Sequence, residues 1–92
     1  MLSNKLKLAE YVIKRYEPNL GLYFFYNAKN DTVWETDFHT GSVISALDGT
    51  LTTKEVFEIL SKNNNIPIKE IENAFSQTFE HLTEEGFLNV QN

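Results

Sequence analysis

Five apolar residues, Ile68, Ile71, Phe75, Phe79 and Leu82, follow one another at spacings of 3, 4, 4 and 3. That is the period of one helix face. A strand would scatter them over both sides, because its successive side chains alternate. The spacing predicts a helix from about Pro67 to Glu85. Pro67 suits its first position, where a missing amide hydrogen is not needed. Gly86 closes the helix and Phe87-Leu88 returns to the core. Thr52-Thr53-Lys54-Glu55 has the spacing of a capping box directly before Val56, Phe57, Ile59 and Leu60, which predicts a second helix ending at Lys62–Asn65. Asp37 or Thr40 can cap a shorter helix through about Ala46, with Val43, Ile44 and Leu47 inward. Asp48-Gly49 is expected to stop it, with Gly49 in a left-handed position after the last turn.

Ahead of Asp37 the pattern is different. Tyr11–Ile13, Leu22–Tyr26 and Thr32–Thr36 are rich in aromatic and β-branched residues, as strands are. Glu17-Pro18-Asn19-Leu20-Gly21 and Asn27-Ala28-Lys29-Asn30-Asp31 separate them with turn-forming residues. Connections this short favour antiparallel neighbours. The expected fold is α+β: a three-stranded antiparallel sheet followed by three helices, in one domain covering residues 1–92.

Composition narrows the chemistry. There is no cysteine, so there is no disulfide, thiol nucleophile or thiolate metal site, and only His39 and His81 remain as soft ligands or neutral-pH bases. No serine has a nucleophile-elbow context and no glycine loop is built to cradle phosphate. Catalysis is not expected, nor is a cofactor or a metal. The longest nearly apolar run, Leu20–Tyr26, is seven residues, against about 20 needed to cross a bilayer. No signal peptide is visible, so the expected compartment is the cytoplasm, with no membrane partner. Residues 1–15 carry Lys5, Lys7, Lys14 and Arg15 against Glu10, a net +3. Residues 16–92 carry four lysines against twelve acids, a net −8, which completes the overall −5. An acidic body does not suit a nucleic acid.

Several of these strings resemble the PqqD-like family, the recognition elements for ribosomally made, post-translationally modified peptides. The resemblance is carried by Val33-Trp34-Glu35 running into Asp37, by Leu47-Asp48-Gly49-x-x-Thr52-x-x-Glu55-Val56, and by Leu82-x-x-x-Gly86-Phe87-Leu88. It spans roughly Lys7 to Val90. Thr36 departs from it, standing where the family often has Leu. The resemblance implies a winged-helix-like domain without catalysis of its own. Such a domain binds the leader segment of a precursor peptide as a strand added to its third strand, against the third helix. It then presents the leader to a modifying enzyme, frequently a radical S-adenosylmethionine enzyme, or a cyclodehydratase, dehydratase or leader peptidase. A chain of this length starting at Met1 is expected to be free-standing.

On this reading the peptide-binding residues are Val33, Trp34, Glu35 and Thr36 on the third strand. Ala74, Thr78 and His81, on one flank of the Phe75 stripe, form the opposite wall. Val33 and Glu35 point to the face opposite Trp34 and Thr36, and either pair could face the helices. Trp34 is a core aromatic or a groove anchor; His81 is a leader contact or an exposed helix histidine. Tyr23-Phe24-Phe25-Tyr26 is apolar on both faces, which burial by the basic N-terminal segment or by a partner protein would explain. Two other readings compete: a winged-helix DNA-binding regulator, and a structural subunit of a maturation complex. The first is disfavoured because residues 67–85 hold one lysine, no arginine and five glutamates.

Overall fold

The computed structural model describes residues 2–91, so Met1, on which the free-standing expectation rests, and Asn92 lie outside it. The expected meander is present as β2 (Val12–Glu17), β3 (Leu22–Asn27) and β4 (Thr32–Asp37), in the order β2-β3-β4. Both pairings are antiparallel and run without a bulge from Val12↔Asn27 to Glu17↔Leu22 and from Leu22↔Asp37 to Asn27↔Thr32. Two left-handed residues make the turns: Gly21 at φ +66° and Asp31 at φ +58°.

Three helices follow: α1 (Phe38–Ser45), α2 (Thr53–Asn64) and α3 (Ile68–Glu84). Asp37 caps α1, its carboxylate accepting the Thr40 amide at 2.7 Å. The capping box of α2 is complete. Thr52 Oγ1 accepts the Glu55 amide, and the Glu55 carboxylate accepts the Thr52 amide at 2.8 Å. Asn65, left-handed at φ +53°, ends α2. Pro67 precedes α3 as its cap rather than occupying its first turn, because its ψ of 139° is extended. Its carbonyl accepts the Glu70 amide. At the other end Gly86 (φ +82°) forms a Schellman motif: the Phe87 amide donates to the Leu82 carbonyl at 2.8 Å, and the Gly86 amide to Thr83.

The structure adds a second antiparallel sheet to the expected elements. β1 (Lys5–Leu8), β5 (Asp48–Thr52) and β6 (Leu88–Gln91) pair in the order β5-β1-β6. The run α1-β5-α2-α3-β6, with both strands flanking β1, is the winged-helix-like part of this α+β fold. Asp48-Gly49 therefore does not stop α1, which has already ended at Ala46. It opens β5. Gly49 is left-handed, at φ +82°, but in an irregular strand where Lys5 and Lys7 oppose Thr52 and Asp48. A Cβ there would stand 2.8 Å from Gln91 Cγ on β6.

The two sheets and three helices share one core. Phe25, Ile44, Phe57, Phe79, Leu82 and Leu88 are sealed from solvent. Phe57 and Phe79 meet at 5.4 Å between ring centroids, and Phe75 leans on Phe79 at 6.0 Å, within the range of favourable aromatic pairs. Ile71, Phe79 and Leu82 of the α3 stripe are buried and Phe75 is half-buried, whereas Ile68 begins the helix beyond the core and is exposed.

Candidate functional site

Position within the sheet distinguishes β4 from the other strands of the meander. β3 is paired on both sides, while β2 and β4 each have one partner among the described residues. An edge strand presents unpaired amides and carbonyls along its outer side. The two edges differ in chemistry. β2 carries Lys14 and Arg15, the kind of charged residues that blunt an edge, whereas β4 carries no cation and only Glu35 and Asp37 as charges.

The faces of β4 are now distinguished. Trp34 and Thr36 are half-buried on the inner side, and Trp34 packs on Phe25 with centroids 5.6 Å apart. Val33 and Glu35 are exposed on the outer side, Val33 at 63%. On α3, Ala74 and His81 are exposed and Thr78 is half-buried. No hydrogen bond or ion pair between described residues joins Val33–Thr36 to Ala74, Thr78 or His81; each set sits on its own element. The strand and helix are tied elsewhere. The Asn27 and Asn30 side chains both donate to the Glu85 carbonyl, at 3.2 and 3.3 Å, and the Tyr11 hydroxyl donates to the Gly86 carbonyl at 2.8 Å. The β3–β4 turn is thereby pinned to the C-terminal end of α3, one turn beyond His81.

Electrostatics around β4 are dominated by local carboxylate bonds. The Thr40 amide holds the Asp37 carboxyl below the usual range, helped by the charge of His39. Tyr26 donates to Asp31 at 2.7 Å, and that carboxylate raises the phenol's pKa. Among the described residues no group of three or more His, Asp or Glu is placed to hold a metal. No described helix is long and apolar enough to cross a membrane.

A further surface emerges on the outer side of the meander. Ile13, Leu20, Phe24, Tyr26 and Val33 line a shallow apolar depression of about 490 Å³. The doubly apolar run Tyr23–Tyr26 was the sequence signal for it. Lys5–Leu8 of the basic N-terminal segment does not cover it, because that strand pairs with β5 and β6 in the other sheet, while Arg15 of the same segment stands at its rim on β2. A smaller apolar groove of about 180 Å³ lies among Val43, Leu51, Val56, Ile59 and Leu60 of α1, β5 and α2.

Comparison with protein-family models, with curated proteins and with solved structures finds no match to this chain.

Proposed function

We propose that this protein is a non-catalytic peptide-binding domain that captures the leader of a ribosomally made precursor by strand addition to β4 and presents it to a modifying enzyme in the cytoplasm. One observation carries the reading: β4 is an edge without cationic protection, in the meander strand that corresponds to the resemblance in sequence. An extended peptide laid along β4 would complete the ladder, each bond contributing about 0.5–1.5 kcal/mol net. Apolar leader side chains that become fully buried would add about 1.5–3 kcal/mol each. Set against the cost of association, this corresponds to affinities between roughly micromolar and tens of nanomolar. In this arrangement Val33, Trp34, Glu35 and Thr36 supply the strand, and Ala74, Thr78 and His81 the second wall. The modifying enzyme, for example a radical S-adenosylmethionine enzyme, holds whatever cofactor the chemistry needs.

The test is selection of binders from a displayed library of short extended peptides, followed by amide hydrogen exchange on the complex. Strand addition predicts slowed exchange at alternate amides of Val33–Thr36 and loss of binding in Val33→Pro and Glu35→Pro. Protection confined to another surface, or binding indifferent to both substitutions, would overturn the reading.

A further inference from the structure

Register arranges the outer face of the meander in rows across its strands: Ile13–Tyr26–Val33 is one row and Arg15–Phe24–Glu35 the next. Each row ends on β4, at the open edge. The first row ends apolar, with Val33 63% exposed. The second ends on a carboxylate. No ion pair among the described residues holds Glu35, and the three cations of residues 12–37 are engaged elsewhere. Arg15 binds its own Glu17 at 3.0 Å, Lys14 donates to the Ser45 carbonyl, and Lys29 lies over the Tyr11 ring. Arg15, alone in Glu35's row, also stands two strand spacings away, about 10 Å. The other carboxylates of the strand and its turn differ: Asp31 accepts the Tyr26 hydroxyl and Asp37 the Thr40 amide. Glu35 is thus an exposed charge with Phe24 on one side and its one open cross-strand position beyond β4.

We propose that β4 selects a basic strand: the peptide added there carries Lys or Arg opposite Glu35 and an apolar residue opposite Val33, two positions apart. This rests on the reading of β4 as a strand-addition edge. A fourth strand continues the rows, because residues directly opposite one another share a face, with Cβ atoms about 4.5–5.5 Å apart. Its residue in the first row extends the apolar surface of Ile13, Tyr26 and Val33. Its residue in the second closes the ion pair that the sheet leaves open. An acid there would meet Glu35 at the distance where like charges destabilise a ladder.

An antiparallel strand keeps the sense of both existing ladders. The order from N to C terminus is then Lys/Arg-x-apolar, with the middle residue beside Trp34 on the inner side. The field along the edge favours the same sign of charge. Asp31, Glu35 and Asp37 lie along β4 and its turn, and the Asn27 and Asn30 side chains pin that turn to the Glu85 carbonyl, at the negative end of α3.

A displayed library of short random peptides, selected in parallel against wild type and Glu35→Lys, tests the proposal. Wild type should enrich Lys/Arg-x-apolar, and Glu35→Lys should enrich Asp/Glu-x-apolar. Position 35 is exposed, and circular dichroism checks that each variant folds. A synthetic peptide from the wild-type selection should lose about five- to tenfold in affinity when its basic residue becomes Glu, and should recover on Glu35→Lys. The parent peptide should weaken with rising salt, more on wild type than on Glu35→Gln. Amide exchange on the complexes separates two failures. Peptides that protect β4 without a charge preference, or with one that Glu35→Lys does not move, overturn the basic-strand inference and leave strand addition standing. Peptides that protect no amide of β4 overturn strand addition itself, and this inference with it.

Discussion

Tyr23 on β3 lies so close over Gly41 in α1 that a Cβ at position 41 would fall inside the tyrosine's own Cβ, Cγ and Cδ2. The contact seats α1 on the inner face of the meander. It also makes one edge of an aromatic group in which Tyr23 meets Tyr16 at 5.0 Å and Phe25 at 5.8 Å. The atoms that would clash are at the root of the Tyr23 side chain, which has little freedom to move aside.

Gly41→Ala is therefore expected to destabilise the protein, although alanine is the better helix former by about 1 kcal/mol. Overpacking of this kind costs typically 1–3 kcal/mol, and the net loss should appear as a lower urea midpoint at unchanged slope. In a Tyr23→Gly background, which removes the Cβ as well as the ring, the same change should become neutral or stabilising. A penalty that persists there would show that Tyr23 is not its cause.

Asn27 is 1% exposed and bonded at both ends: its amide donates to the Glu85 carbonyl and its carbonyl oxygen accepts the Lys29 amide. Asn27→Asp removes the donor and sets a carboxylate against the negative end of α3. A loss of about 1–3 kcal/mol is expected at neutral pH. Protonation restores a donor, so the introduced carboxyl's folded pKa is raised; the penalty should shrink as pH falls through that raised value and level off below the unfolded pKa, about 4. Equal destabilisation at pH 3 and pH 7 would contradict this account.

Asp37 titrates with the opposite sign. Its folded pKa is depressed by the Thr40 amide, so its stabilisation is full above the unfolded value near 4 and is lost as pH falls through the lower folded one. Asp48, bonded to the Thr50 hydroxyl and amide, and Glu55, bonded to the Thr52 amide, act in the same direction. Asp37→Asn keeps a capping oxygen that does not titrate. The stability gap between wild type and this variant should therefore change in the wild type's disfavour as pH falls from about 5 to 2, followed by urea unfolding at each pH.

Trp34 is the sole tryptophan, half-buried on the edge strand against Phe25. A peptide strand added at β4 should exclude water from it and shift its emission to the blue, with a titration midpoint matching the binding constant. Val33→Pro should abolish the shift while leaving helical circular dichroism in place. A selected peptide that binds without altering Trp34 emission argues for a seat away from β4.

The elements that could be read from the chain are those whose signals are local. The Thr52–Glu55 box and the Ile71–Leu82 stripe lie within one or a few helical turns, and both formed where their spacing placed them. The second sheet was not read, although Lys5-Leu6-Lys7-Leu8 alternates as a strand should. Four residues make a weak signal, and the partners of β1 lie more than forty residues away. Gly49 shows the same effect: its left-handed backbone could be anticipated, but the approach of Gln91 that shapes its surroundings comes from the far end of the chain. In the candidate site, alternation separated Val33 and Glu35 from Trp34 and Thr36. It did not say which pair turns inward.

By itself, then, the sequence determined the three helices, the cap of α2 and the stop of α3, and that the first third is a meander, because capping bonds, turn backbones and side-chain periods act over a few residues. Only the tertiary structure decided that Trp34 packs on Phe25, that Val33 joins Ile13 and Tyr26 on an open face, and that the N-terminal strand leaves that face to pair with β5 and β6. Those outcomes depend on which apolar surfaces bury one another, and that is a competition among residues distant along the chain.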